Sequence, residues 1–472
     1  MNHSAAGGDV VESERDARDV PRGHDTDVAS DTHSAQPCSR RNRWLKRLGR
    51  ILSNPDARNG ALSLFDQAIV SGASFLTAVV VGRACSQSDL GVFYLALTIV
   101  YIARGVQEHL ISAPYVIYCQ QCRPERRELF AGSALVHSFG LSIVATLVLV
   151  GLLGCLALSG SSSTLASAVW VLLAVLPILQ LREFIRRMSI AHLRISTAIA
   201  IDVVVATVQI GGLLALALSG RLTVGIAYAV LGAACAVACC GWFLVEWRRF
   251  CIVRPVVIRD WWRNWGFARW ALASHVLSFT ALYITPWLVM TLRGSAEAGV
   301  LAACMSIVGV ASMFMTGLST FLIPRASVAF AQGGVTKLRK VLRTAEIVYA
   351  AVIGTFAVTV LATGDFLLVL AFGDAYVGYG TTTGVLSMSM FVQSLGLTAG
   401  IGLWAIDRPD ANLLADAVTL VVTLVLVLSL LPALGVLGAA LGDLGGRFVG
   451  TLARHATLRA CLVEFTVGIN PL

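Results

Sequence analysis

Apolar runs of about twenty residues, separated by short polar breaks, fill the chain from residue 61 to residue 453. A helix rising 1.5 Å per residue needs about twenty apolar positions to cross roughly 30 Å of hydrocarbon, so each run predicts a transmembrane helix. The runs lie near 61–83, 90–112, 131–158, 164–182, 196–218, 223–246, 270–292, 298–323, 345–371, 380–404, 411–433 and 435–453. The expected fold class is an all-α polytopic membrane protein of about twelve transmembrane helices.

The breaks carry the orientation. Every second one is basic: Arg123, Arg126 and Arg127; Arg182, Arg186, Arg187 and Arg194; Arg248, Arg249, Arg254, Arg259 and Arg263; Arg325, Lys337, Arg339, Lys340 and Arg343; then Arg408 and Arg454. The breaks between them, such as 159–164 (SGSSST), are short and carry few charges. Cytoplasmic loops hold the excess of Lys and Arg, so both termini are expected in the cytoplasm of a multi-pass bacterial inner (plasma) membrane protein.

Composition mainly sharpens what is excluded. Of 472 residues, 57% are hydrophobic and 13% charged, with mean hydropathy +0.77, too apolar for a soluble domain of this length. The net charge of +9 sits in basic loops beside apolar runs, as membrane flanks do, so nucleic acid is not an expected partner. Eleven cysteines lie mostly singly within apolar runs and indicate no disulfide framework. Cys119 and Cys122 make one CxxC pair with no second pair or histidine cluster, so neither a metal nor a cofactor is expected.

Residues 1–57 precede the first apolar run; the first forty contain no apolar stretch, so no cleavable signal peptide is expected. They begin acidic (Asp9, Glu12, Glu14, Asp16, Asp19) and rich in small polar residues, a composition that predicts a largely disordered cytoplasmic tail. Within it, residues 39–53 place Trp44, Leu45, Leu48, Ile51 and Leu52 on one helical face opposite Arg and Lys. That pattern suits a helix lying on an anionic membrane surface, and equally a plain basic flank.

A repeat runs through the membrane region. Arg83 precedes GVFYLA (Gly91 to Ala96) as Arg293 precedes GVLAA (Gly299 to Ala303), and Gly225, Ala227 and Ala229 match Gly438, Ala440 and Gly442 at a similar offset of roughly 210 residues. The expectation is two six-helix halves, residues 58–250 and 251–472, related by an axis along the membrane normal and enclosing a central cleft.

Four segments carry a resemblance to a known family. They are DQAIVSGASFLTAVVVGRACSQSDLGVFYLAL (Asp66 to Leu97), REFIRRMSIAHLR (Arg182 to Arg194), FLIPRASVAFAQGGVTKLRKVLR (Phe321 to Arg343) and FGDAY (Phe372 to Tyr376). Their order and spacing over residues 60–460 resemble bacterial polysaccharide or O-antigen flippases within the multidrug/oligosaccharidyl-lipid/polysaccharide exporter superfamily. The resemblance implies a polyprenyl-diphosphate-linked oligosaccharide as substrate, moved from the cytoplasmic to the outer leaflet by alternating access. Membrane lipids and other polysaccharide-assembly proteins are the partners it implies. A diphosphate-sugar headgroup cannot cross hydrocarbon unaided, so such a protein must offer a hydrated, preferably cationic cleft.

Ionisable side chains inside the apolar runs are costly and are therefore the first functional candidates. Arg104, in the second run, suits diphosphate contact; an i, i+4 ion pair with Glu108 is the structural account. His275, near Trp270 and Tyr283 in the seventh run, suits a sugar-wide passage or a buried hydrogen bond. Arg182, Arg186 and Arg187 suit an anion-gathering mouth, and also satisfy the loop-charge rule. Asp66 is the candidate for coupling to a proton or cation, or else a helix cap. Asp202, Asp416 and the Asp443–Arg447 pair extend the set, while Arg83 and Arg293 read as interfacial.

Two other functions fit the same sequence. An ion-coupled small-molecule (multidrug) exporter is favoured only if Asp66 and a second carboxylate face the same chamber, and the basic cleft candidates argue the other way. A membrane enzyme acting on lipid-linked sugars needs clustered acid or base groups, usually in a sizeable outer loop, and no expected outer loop exceeds about a dozen residues.

Overall fold

A computed structural model describes residues 55–467, apart from breaks at 122–123, 159–162, 193 and 247–249. The acidic tail and the amphipathic segment at 39–53 therefore lie outside the described residues, as does Cys122. Within them the chain is helical almost throughout: α1 (Pro55–Ala84), α2 (Gln87–Gln107), α3 (Ala113–Gln121), α4 (Pro124–Leu158), α5 (Ser163–Ala191), α6 (Ile195–Leu218), α7 (Val224–Glu246), α8 (Arg254–Arg293), α9 (Ser295–Val308), α10 (Val310–Phe372), α11 (Gly380–Ala405), α12 (Pro409–Leu434) and α13 (Val436–Val467).

Ten of these helices are long and apolar enough to cross a membrane. The count of crossings reaches twelve for two physical reasons. First, α10 is two limbs in one run of 63 residues, broken by non-helical backbone at Gly333 and Gly334, where Gly334 has φ 58°. That left-handed conformation is one a side chain resists, and the glycine lets the chain turn without a loop. The first limb continues α9 across a short bend at Gly309, and together they form the eighth crossing. Second, α13 is a membrane-length helix diluted by Asp443, Arg447 and Arg454. Six crossings precede residue 250 and six follow it.

Helix α2 starts on a capping box: Ser86 Oγ accepts from the Asp89 amide at 3.1 Å, and the Ser86 amide donates to Asp89 Oδ2 at 3.2 Å. It runs on into α3 through a π-helical segment at Glu108–Ser112, so that the second crossing is continuous from residue 87 to residue 119. Large apolar side chains such as Leu147, Val148, Leu218 and Leu414 are well exposed on the outside of the bundle, as a lipid-facing surface requires.

The buried side chains form three clusters. One is shared by both sets of crossings, joining Val81, Phe93, Leu172 and Tyr228 to Ala303, Val308, Phe372 and Leu431. The second, around Tyr115, Phe184 and Trp242, is built almost wholly from the first six crossings. The third, around Leu338, Tyr349 and Leu458, comes only from the last six. The halves are thus fused by one core at one end and hold separate cores at the other, which leaves a cleft between them.

The fused end is closed by the repeated motif itself. A Cβ at Gly91 would strike the carbonyl oxygen of Ser295, and a Cβ at Gly299 would strike that of Gln87. Gly91 and Gln87 stand as far apart as Gly299 and Ser295, so α2 and α9 meet face to face with equivalent residues exchanging contacts. Around this seam Ser88 Oγ lies 2.5 Å from Ser295 Oγ, and Gln87 Nε2 donates to the Ala375 carbonyl at 2.6 Å. Arg83 does not simply reach for an interface: its guanidinium donates to the carbonyls of Leu370 and Ala371, which have no partner of their own at the end of α10. Arg293 pairs with Glu297 at 2.8 Å.

Candidate functional site

A cavity of about 770 Å³ opens beyond this seam, walled by α1, α2, α5 and α6 with contributions from α7, α8 and the α9–α10 bend. Gln67, Ser71 and Thr77 face it from α1, Tyr94, Tyr101 and Arg104 from α2, and Gln180, Arg182, Glu183 and Arg186 from α5. Asp202 and Gln209 face it from α6, Tyr283 from α8 and Met313 from α10. Helix α1 packs Phe75, Val79 and Val81 into the shared core and is also held by Gln209 Nε2, which donates to Thr77 Oγ1 at 2.7 Å.

The wall is organised by four consecutive-turn side chains of α5. Arg186 Nε donates to Asp202 Oδ2 at 2.6 Å, and its Nη2 donates to Asp66 Oδ2. Arg182 donates to Asp202 Oδ1 and reaches Glu183 Oε2 at 3.3 Å. Glu183, 3% exposed, also receives Arg104 at 3.0 Å and Arg187 at 3.0 Å, with Arg186 at 3.8 Å. Arg187 completes the chain with an ion pair to Glu108 at 3.1 Å. Four guanidinium groups and four carboxylates thus form one network across α1, α2, the π segment, α5 and α6, formally neutral as a whole. In a low-dielectric setting this balance is what makes burial of so many charges tolerable.

Arg104 does not take Glu108 as its partner. Glu108 opens the π-helical segment, where the wider turn shifts side chains off the i, i+4 register, so it turns to Arg187 while Arg104 crosses to Glu183. Arg104 and Arg187 are the more exposed arginines of the network, their side chains 35% and 34% accessible, and of these two Arg104 faces the cavity. Asp66 lies directly behind Arg186 and 4% exposed, so it caps no helix end; its Oδ1 is buried with no hydrogen-bond partner among the described residues. Gln107 Oε1, Gln180 Oε1 and Arg182 Nε are buried the same way.

His275 sits outside the cavity wall. Its ring stacks on His109 with centroids 4.4 Å apart and lies against Gly105, where a Cβ would collide with it. It begins a stripe on α8 in which Phe279 stacks on Tyr283 at 4.3 Å and Trp287 donates to Thr98 Oγ1 at 2.9 Å. Only Tyr283 of that stripe reaches the cavity, beside Tyr101 at 5.9 Å.

The last six crossings hold smaller polar groups. Asp443 and Arg447 pair at 2.8 Å at the expected i, i+4 spacing, and Arg447 also donates to Gln393. Arg454 pairs with Asp416, which accepts from Ser278 at 3.1 Å.

Sequence reasoning missed Glu183, the hub of the network. The signal was present: it is the one acid in the basic segment, three and four residues before Arg186 and Arg187.

This all-helical architecture matches the fold of solved MATE transporters of the MOP superfamily. One similar structure is described as an inward-facing conformation of a multidrug resistance MATE family transporter of the MOP superfamily, with TM-score 0.69 and 14% identity over 85% of this chain and 95% of that one. An outward-facing conformation of such a transporter gives 0.62 at 14% identity, covering 88% and 98%. A MOP-superfamily transporter from Pyrococcus furiosus, described as having a binding pocket of reversed polarity that suggests a different function, gives 0.63 at 14% identity, covering 88% and 98%. No protein-family model and no curated protein matches the sequence.

Proposed function

We propose that the chain is an ion-coupled exporter of small molecules, working by alternating access of its two six-helix halves in a plasma membrane with both termini cytoplasmic. The observation that carries this reading is the neutralised wall. Arg182, Arg186 and Arg187, which the sequence offers as an anion-gathering surface, are each bonded to Asp66, Asp202, Glu183 or Glu108. A polyprenyl diphosphate gains little from cations already paired. Meanwhile Glu183 and Asp202 put two carboxylates in the chamber wall, whereas Asp66 stands behind Arg186 and does not line it, so the coupling role the sequence offers to Asp66 passes to Asp202 in this reading.

The rest of the chamber suits a compact amphiphile. Tyr94, Tyr101 and Tyr283 offer ring faces, Met313 an adaptable apolar contact, and Gln67 and Gln209 hydrogen bonds. The likeness to multidrug resistance transporters points the same way. Alternating access then requires the Gly91–Gly299 seam to part as the cleft closes at the other end.

A second reading, transport of a lipid-linked oligosaccharide, is favoured by Arg104 alone, which faces the cavity with one carboxylate partner. One assay separates the two. Liposomes carrying the purified protein are given a proton or sodium gradient and either a fluorescent cationic dye or a labelled polyprenyl diphosphate oligosaccharide. Gradient-driven dye movement that is lost in Asp202→Asn supports the exporter. Movement of the oligosaccharide with no dye transport overturns it in favour of the flippase.

A further inference from the structure

The first four turns of α8 do not belong to its membrane crossing. The apolar span of that helix begins at Ala271, whereas the helix itself starts at Arg254. These residues join the two halves, and they are two-faced. Asp260, Asn264 and Ala268, at successive turns, are buried. That face is fastened to α4: His137 Nε2 meets the Val257 carbonyl at 3.0 Å, its ring lies edge-on to Trp261, and Gly132 admits the Cys251 carbonyl where a Cβ would collide.

The opposite face carries Ile258, Trp262 and Trp265 at i, i+4 and i+7, exposed at 52%, 66% and 40%. Three large apolar side chains on one exposed stripe require a partner. Arginines frame them: Arg254, Arg259, Arg263 and Arg269 are all exposed, and the only acid of the segment, Asp260, is buried and meets Arg259 at 3.4 Å, leaving that side chain more than half exposed. Arg263 is steadied by the ring of Tyr118, 3.8 Å from its centroid, and remains open to the outside. A helix that merges without a break into a membrane crossing holds this face at the bilayer boundary. Tryptophan rings favour that depth, and anionic headgroups are the charge the arginines complement.

We infer that the exposed face of residues 254–269 is a docking surface for anionic phospholipids, whose phosphates meet Arg254, Arg259, Arg263 and Arg269 while Trp262 and Trp265 sit among the glycerol and upper acyl groups. The same unbroken helix carries Tyr283 into the cavity wall, so this surface and the chamber share one element.

The test uses the full chain in phosphatidylcholine bilayers containing a fixed fraction of phosphatidylglycerol, with one lipid or the other brominated on its acyl chains. Brominated phosphatidylglycerol should quench tryptophan fluorescence more than brominated phosphatidylcholine at equal mole fraction. Trp262→Phe with Trp265→Phe should remove most of that excess. Arg259→Gln with Arg263→Gln should lower the preference on the order of tenfold, as expected for two interfacial arginines. All four side chains are exposed, and an unchanged melting temperature separates lost docking from lost folding. Equal quenching by the two lipids, or an excess that survives both double variants, overturns the inference.

Discussion

Arg186 of α5 stands between Asp66 of α1 and Asp202 of α6 and is bonded to both carboxylates at once. One guanidinium therefore joins three crossings, and removing it strands buried Asp66 and leaves buried Asp202 with Arg182 alone. Arg186→Met should destabilise the protein by about 3–5 kcal/mol, the usual cost of breaking a buried ion pair from one side. Thermal unfolding in detergent measures this. Adding Asp66→Asn and Asp202→Asn to the same variant should restore most of the loss; no recovery would mean that the charges are not what Arg186 holds in place.

Arg104 differs from its neighbours because Glu183 keeps three other arginines without it. Arg104→Ala should cost about 1 kcal/mol in stability, because buried Glu183 keeps its other arginines and stays charge-compensated. In liposomes, oligosaccharide movement that falls with Arg104→Ala and partly returns with Arg104→Lys would favour the flippase reading, whereas unchanged dye export with no oligosaccharide movement would favour the exporter.

Ser88 and Ser295 face each other with their hydroxyl oxygens 2.5 Å apart across the α2–α9 seam. In a background lacking the native cysteines, Ser88→Cys with Ser295→Cys should form a disulfide under mild oxidation. Transport should stop and return on reduction. Failure to cross-link would show that this end stands open in the membrane.

Cys85 lies beside the same seam, between the first two crossings, with Sγ 3.6 Å from the Leu222 carbonyl. Burial, with the Asp89 carboxylate adding to it, pushes its thiol up to about 11. The thiolate is the reactive form, so maleimide labelling should be slow at neutral pH and rise about tenfold per pH unit until the pH approaches that value. Conditions that open the seam should raise the rate at fixed pH. Fast labelling at pH 7 in the resting protein would contradict the closed geometry.

A reporter active only outside the cytoplasm should be silent when fused after Leu472 and active when fused near Gly160. The reverse pattern would invert the bundle and move the interfacial face of α8 to the opposite leaflet.

The crossings were legible because hydrocarbon thickness imposes a length on every apolar run, and even the diluted α13 keeps that length. The Gly333–Gly334 break was not, since two adjacent glycines read equally well as part of a polar loop. At the site, sequence pointed to Arg104, Asp66 and Asp202 through the cost of burying charge, and to Arg182, Arg186 and Arg187 only as a basic cytoplasmic mouth. It did not reveal their partners. Spacing along one helix suggests Arg104 with Glu108, but the choice of Glu183 depends on how α5 packs against α2 and on a π turn that no residue pattern announces. His275 shows the same limit: its distance from Tyr283 is two helical turns, and only the chamber's depth decides that the tyrosine lines it and the histidine does not.

The glycine seam has an evolutionary consequence. If the two halves descend from one duplicated segment, then Gly91 and Gly299 are a single ancestral position that now touches its own copy. Most duplicated positions are released to diverge once each copy has its own surroundings. These two are not, because a methyl group acquired by either would press on the backbone of the other, and the mark of the duplication is preserved at the place where the copies meet.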